Sequence, residues 1–271
     1  MVLKGEFVMM NGIDVSKHNG IIDWNKAARD GIEFAIIRAG YGKTAKQKDP
    51  MFEQNYRDAK ANGVFVGAYW YSYAMTPDEA KLEAKAFVEC IEGKQFEFPV
   101  YFDLEEKKQF ALGKKAVSDI IRAFLSTLES YGYYVGLYMS RSPLMTYVEE
   151  DIRGRYSIWV AEWASKCNYD GTYGMWQRSE KGYVNGINGN VDLDISYVNY
   201  PSIIKACGMN GYVKEEDKED GTSGTGSTDT GTNTNPVSGG VKQPAEDGTV
   251  GCIIKIGDKT YVGVLREQPP D

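Results

Sequence analysis

Residues 99–105 read Pro-Val-Tyr-Phe-Asp-Leu-Glu, a short β-favouring apolar run that ends in two acids. Runs of similar build recur at 12–16, 34–40, 64–72, 134–140, 157–163, 173–179 and 191–197, each rich in Val, Ile, Tyr, Phe or Trp. Helix-period segments fall between them, at 24–29, 51–61, 77–91, 114–131 and 143–151. Thr76-Pro77 and Ser142-Pro143 carry a cap followed by a proline, a helix-start signal, and Gly31, Gly63, Gly93 and Gly132 stand where helices should stop. Eight strands with interleaved helices predict an α/β fold, a TIM-barrel-like parallel barrel. Only five helices are clear and short polar loops join the last three strands, so the barrel is expected to be irregular. A doubly wound open sheet is the alternative.

The composition sets limits. The chain has 271 residues, 31 of them basic and 38 acidic, for a net charge of −7. That balance argues against a nucleic-acid partner. A single His excludes a three-His zinc site, and no metal or cofactor is expected. All five Trp and 32 of the 34 aromatic residues lie before residue 212, so the chemistry is sought there. Cys90, Cys167, Cys207 and Cys252 show no CxxC spacing and read as free thiols. No 18-residue apolar run predicts a membrane span. Residues 1–9 read as an extension without a signal peptide's apolar core.

Seventeen of the twenty residues at 221–240 are Gly, Thr, Ser or Asn, the composition of a flexible linker. Two β-favouring runs at 250–256 and 260–265 flank Gly257-Asp258-Lys259 and predict a hairpin. The expected organisation is an extension at 1–9, a catalytic domain at 10–211, a linker at 212–244 and a short segment at 245–271. A monomer is expected, with association through the hairpin as the alternative.

In a parallel barrel, function gathers at the carboxyl ends of the strands. The titratable residues at the ends of the candidate strands are Asp14, the pair Asp103 and Glu105, Glu162, and the pair Asp192 and Asp194. All are acids, which suits carboxylate acid/base chemistry. Asp103 and Glu105 are two apart on one strand, so they face the same way with Cα atoms about 6–7 Å apart. Carboxylates that close push each other's proton affinities apart. A solvated strand end with ordinary acids is the competing reading. His18, in Lys17-His18-Asn19-Gly20, reads as a turn residue, with a substrate contact as the lesser reading. Tyr41, Tyr69, Trp70, Tyr138, Trp163 and Trp176 lie in or near strand ends, and some should face the cleft.

The chain resembles the lysozymes of glycoside hydrolase family 25. The resemblance runs through Gly-Ile-Asp-Val-Ser at 12–16, Arg-Ala-Gly-Tyr-Gly at 38–42, Gly-Ala-Tyr at 67–69 and Val-Tyr-Phe-Asp-Leu-Glu at 100–105. It continues in Gly-Leu-Tyr at 136–138, Ile-Trp-Val-Ala-Glu-Trp at 158–163, Met-Trp-Gln at 175–177 and Gly-Ile-Asn-Gly-Asn-Val-Asp-Leu-Asp at 186–194. It implies an irregular α/β barrel that cleaves the β-1,4 bond between N-acetylmuramic acid and N-acetylglucosamine in peptidoglycan. It implies Glu105 as general acid and Asp103 as the charge that orients the 2-acetamido group or supports an oxocarbenium-like state. Asp14 matches a further acidic position, and Asp192 is taken over Asp194 because the family motif fits the first of the two. Tyr41, Tyr69, Trp70, Tyr138, Trp163 and Gln177 are the expected substrate contacts.

Two features depart from the family. Position 70 is Trp where many members have His, and residues 245–271 resemble no wall-binding repeat. The resemblance implies a phage endolysin or a bacterial autolysin acting on peptidoglycan glycan strands, the missing signal peptide favouring an endolysin. A carbohydrate-binding barrel without activity is the alternative, disfavoured because every acidic position is filled.

Overall fold

The computed structural model describes residues 9–214 and three further strands at 237–244, 249–256 and 259–266. The first part is a closed eight-stranded barrel. Its strands are β1 (Met10–Val15), β2 (Phe34–Tyr41), β3 (Phe65–Tyr71), β4 (Val100–Asp103), β5 (Val135–Ser140), β6 (Ser157–Ala161), β7 (Met175–Gly182) and β8 (Val191–Ser196). Helices α1 (Trp24–Arg29), α2 (Phe52–Ala61), α3 (Pro77–Ile91), α4 (Lys107–Phe110), α5 (Lys114–Ser130), α6 (Arg141–Tyr147), α7 (Glu150–Arg155) and α8 (Tyr200–Cys207) complete it.

The helix starts follow local chemistry. Asp23 caps α1 by accepting from the Lys26 N–H at 3.1 Å, and Thr76 caps α3 by accepting from the Glu79 N–H at 3.2 Å, with Pro77 next in line. The helix expected at 143–151 is two helices, α6 and α7. Helices α4 and α8 were not expected; Asn199 caps α8 and Gly208 ends it in a left-handed conformation.

Strands β1 to β7 run parallel, whereas β8 runs antiparallel to both β7 and β1. The all-parallel expectation is corrected at this strand. Only residues 183–190 connect β7 to β8, too few for the crossover that parallel neighbours need, so the chain turns back on itself.

Uniformly apolar strands still alternate. Ala35 and Ile37 of β2 pack outward against the helices, while Phe34 and Ile36 point into the barrel. In the outer layer Phe102 stacks on Phe124 of α5, with ring centroids 3.9 Å apart. The inner layer is aromatic. At the amino-terminal end Tyr200 and Ile204 of α8 join Phe34, Phe98 and Tyr134, and the Tyr200 hydroxyl hydrogen-bonds Ser157. Helix α8 thus plugs the floor. Glycines make room for these rings: a Cβ on Gly12 would lie 2.3 Å from the Phe34 ring, and one on Gly136 2.3 Å from the Tyr101 ring.

The remaining strands, β9 (Val237–Pro244), β10 (Thr249–Ile256) and β11 (Lys259–Arg266), form an antiparallel sheet with β10 in the middle. The expected hairpin is present as β10–β11. The expected linker ran too far, because Val237–Pro244 pairs with β10; its Ser, Gly and Pro content is tolerated on an edge strand. Residues 1–8, the linker span 215–236 and the Gly257-Asp258 turn lie outside the described residues. No helix among the described residues is long and apolar enough to cross a membrane. Cys90 and Cys207 are free thiols, and Cys167 is buried.

The close approach at Gly136 is testable by melting. Gly136→Ala drives a methyl into the Tyr101 ring and the Ser157 carbonyl, and overpacking of this kind costs about 1–3 kcal/mol. The melting temperature should fall by about 3–10 °C. Gly154 of α7 meets nothing within 4 Å, so Gly154→Ala should leave it unchanged or raise it. Equal melting of the two variants would show that the ring yields freely.

Candidate active site

The carboxyl ends of β1 to β7 and the amino end of β8 open onto one cleft of about 360 Å³. Asp14, Asp103, Glu105 and Asp192 all line it. Asp103 is the last residue of β4, and Glu105 follows two residues beyond. Asp192 reaches the same mouth only because β8 is reversed, its second residue lying opposite Asp14 in the β1–β8 ladder. Asp194, opposite Gly12, sits one step deeper and does not line the cleft.

Burial divides the acids. Asp14 and Asp103 are 7% and 3% exposed, whereas Glu105 stands open to solvent at the mouth. Burial raises the proton affinity of Asp103 well above the usual carboxylate range, and the charge of Glu105 adds to the rise. Glu105 is raised too, because the cleft walls remove much of its water; a hydrogen bond from Asp103 pulls the other way. The two carboxyls are within hydrogen-bonding reach of each other, and the deeper Asp103 is the one whose proton affinity burial raises well above the usual range. One buried oxygen of Asp103, Oδ1, has no hydrogen-bond partner.

A second group of acids lies across the floor. Asp14 is raised by burial and then by the charges of Asp194 and Asp192. Burial lifts Asp192 to about 6 and Asp194 to about 8. Gln177, 3% exposed on β7, ties this group to the cleft wall. Its Nε2 donates to Asp14 Oδ2 at 2.7 Å, while its Oε1 accepts from the Tyr138 hydroxyl at 3.0 Å and from Trp163 Nε1 at 3.1 Å. Two donors on Oε1 fix the amide so that its NH2 faces Asp14.

Of the expected contacts, Tyr69, Tyr138 and Gln177 line the cleft. Trp163 is 57% exposed beside it, tethered through Gln177. Tyr41 is half-buried outside the lining, edge-on to Tyr73 at 6.3 Å. Trp70 is a correction. It follows the inward-facing Tyr69, and strand neighbours point to opposite faces. Trp70 therefore lies on the helix side, fully buried, stacked on Phe87 at 5.5 Å and donating from Nε1 to the Gly42 carbonyl at 2.9 Å. Trp176 likewise packs in the outer layer. Glu162 stays at the end of β6 but binds Asn168 and Arg141 instead of the cleft acids. His18 lines the cleft, as its lesser reading had it; Ser16 holds the turn that presents it, accepting from the His18 N–H at 3.3 Å.

Several lining residues escaped the sequence reading, among them Trp159, Tyr71 and Arg38. Trp159 of β6 forms the cleft floor, edge-on to Tyr138 at 4.4 Å, with Nε1 donating to Asp194 Oδ1 at 2.8 Å. It lies four residues before Trp163, on the same strand face, and that spacing was its signal. Tyr71 continues the face of Tyr69 and donates to Glu106 Oε1 at 2.9 Å. Arg38, the one Lys or Arg in the lining, is the lone charge in an apolar strand. Asp49 holds it from beneath at 2.7 Å and 2.8 Å, and its guanidinium favours the ionised form of Asp103. Among the described residues no three His, Cys, Asp or Glu side chains are arranged to hold a metal ion.

The chain is similar to known proteins in sequence and fold. The family model of the glycosyl hydrolases family 25 matches residues 13–187, which take in Asp14, Asp103, Glu105 and Gln177 and stop short of β8. An autolytic lysozyme of Clostridium acetobutylicum is 31% identical over 188 residues, covering 68% of this chain and 55% of that protein. An uncharacterized protein, YegX, of Escherichia coli K12 is 32% identical over 197 residues, 69% of each chain. Among solved structures, the CTP1L endolysin superposes with a TM-score of 0.65 at 29% identity, covering 73% of this chain and 70% of that one. The family match spans most of the barrel and the paired carboxyls at its mouth, and on it the chain belongs to glycosyl hydrolase family 25.

Proposed function

We propose that this glycoside hydrolase is a lysozyme that cuts the β-1,4 bond between N-acetylmuramic acid and N-acetylglucosamine in bacterial peptidoglycan. The observation that carries the reading is the pairing of the buried Asp103 with the solvent-open Glu105 in a cleft lined by Tyr69, Tyr138 and Trp159. The names of similar proteins support the substrate: an autolytic lysozyme, an endolysin, and the autolysin LytC, solved with a synthetic peptidoglycan ligand. The cell wall is then the place of action, as for an endolysin or an autolysin.

The mechanism follows from where the shared proton sits. In the open cleft it rests with Asp103. A sugar laid over Glu105 strips away its remaining water and raises its proton affinity. A 2-acetamido N–H donated to the carboxyl of Asp103, which lines the cleft, stabilises the charge of Asp103. Both effects move the proton to Glu105, which stands at the mouth where the glycosidic oxygen lies. Glu105 then acts as general acid, and Asp103 orients the acetamido oxygen toward the anomeric carbon. Asp192 adds negative charge under the oxocarbenium-like sugar, with Asp14 opposite it in the β1–β8 ladder. The route is retention with the substrate's own acetamido group as nucleophile, since carboxyls that share a proton leave no space for a water between them.

Four outcomes test this. Glu105→Gln keeps the shape without the proton, and its turnover of purified cell walls should drop about 10²–10⁴-fold. Retention of more than a tenth of wall clearing would remove Glu105 from the acid role. Asp103→Asn and Asp192→Asn should also lose most activity, Asp103→Asn more severely. The reaction needs one proton on the pair, so the pH profile of kcat/KM should be a bell with its alkaline limb above the ordinary carboxylate range of about 4. A fall centred near that value would mean that the pair does not share a proton. NMR of the first-formed sugar should show the β-anomer, with inhibition by a thiazoline mimic of the cyclised acetamido group. Initial α-anomer would establish inversion.

A further inference from the structure

The deepest acid of the site has no part in the chemistry described so far. Asp194 is 1% exposed and does not reach the cleft. Its Oδ1 accepts from Trp159 Nε1 at 2.8 Å, and its Oδ2 is buried without any amide, hydroxyl or cationic partner. The Asp194 carboxyl is within hydrogen-bonding reach of the Asp14 carboxyl, whose Oδ2 is taken by the Gln177 amide at 2.7 Å. Ionised carboxylates only accept hydrogen bonds, so two of them in contact must hold a proton between them. Each acid has one neutral donor, Gln177 on Asp14 and Trp159 on Asp194; Asp14 is the better proton donor because the charges of Asp194 and Asp192 raise its proton affinity, whereas Arg178 favours the charged form of Asp194.

We infer that Asp194 is a positioning residue for the glycosidase reaction: anchored by Trp159, it shares a proton with Asp14 and keeps the single negative charge of that pair away from Asp103 while Asp103 and Glu105 exchange their proton. The inference rests on the reading of Asp103 and Glu105 as the reacting pair. Charge on Asp14 acts directly on Asp103, raising its hold on a proton, whereas Asp194 lies beyond Asp14. Proton sharing therefore places the negative charge on Asp194, the member farther from the reaction, and leaves Asp103 free to ionise against the substrate. The groups facing this pair are Asp192 on β8, Tyr69 on β3, Asp103 on β4, Tyr138 on β5, and Gln177 and Arg178 on β7. Arg178 is the one cation among them, and it favours the ionised form of Asp194.

Asp194→Asn separates this role from a packing role. An Asn there still accepts from Trp159 and donates its own N–H to Asp14, so both bonds survive, but Asp14 must then carry the full charge. The charge moves toward Asp103, and the alkaline limb of kcat/KM should rise by about one pH unit, with kcat reduced and KM little changed. An unchanged pH profile, with or without a lowered melting temperature, would reduce Asp194 to packing and overturn the inference. Carbon-13 NMR of labelled aspartates in the wild-type enzyme gives an independent reading that needs no variant to fold. Besides the Asp103–Glu105 pair, an aspartyl carboxyl should titrate above pH 6; all others titrating below pH 5 would overturn the inference. Full activity of Glu105→Gln would instead defeat the reading it rests on.

Discussion

The reversed last strand sets the arrangement of everything in the cleft. Because β8 closes the barrel antiparallel to β1, its amino end meets the carboxyl ends of the other seven strands. Asp192 then stands opposite Asp14, and Asp194 opposite Gly12. A parallel eighth strand would put the same two acids at the other end of the barrel. The eight residues between β7 and β8 force the reversal, so a loop too short for a crossover determines which carboxyls can interact.

Bringing five acids into one mouth is unfavourable, and the surrounding groups show how the cost is limited. Each acid in contact has a raised proton affinity, so protons substitute for missing cations. Gln177 contributes a neutral donor to Asp14, Trp159 an indole N–H to Asp194, and Arg38 the only lining cation, already half-neutralised by Asp49. The folded chain consequently binds more protons than the unfolded chain between the ordinary carboxylate range and about pH 8. Stability from these groups is greatest at low pH and is lost as pH rises through that window. The site works against the fold at neutral pH, and the aromatic floor and the plug of α8 offset that.

The strands were legible because buried parallel strands are nearly continuous apolar runs, and 99–105 is one. Helices α1 and α3 were legible to the residue because a capping side chain or proline marks the start and Gly, at 31 and 93, stands just past the end. The direction of β8 was not legible from its own residues, which favour a strand of either sense; it lay in the length of the preceding loop. Trp70 was misplaced and Trp159 passed over for the same reason. Nearness to a strand end was used where parity decides the face: Tyr69 and Tyr71 point inward, so Trp70 cannot. Asp103 and Glu105 stood out because two acids end an apolar run. Arg38 did not, since a lone cation in a strand gives no hint that Asp49 will fix it beneath the cleft.

The same charges bear on whether the cleft binds sugar or breaks it. A site built only to hold a glycan would satisfy its buried polar groups, because an unpaired one costs about 1–3 kcal/mol. Here Asp103 Oδ1 and Asp194 Oδ2 are both left without conventional partners, in a cleft that also keeps Glu105 open to solvent. An open acid above a buried, unsatisfied carboxyl is poor design for affinity alone. It suits a reaction in which the substrate lies against Asp103 and takes the proton from Glu105. The unsatisfied atom is stable only as long as a proton can be shared, which is why the pair, and not either residue alone, is the unit that carries the chemistry.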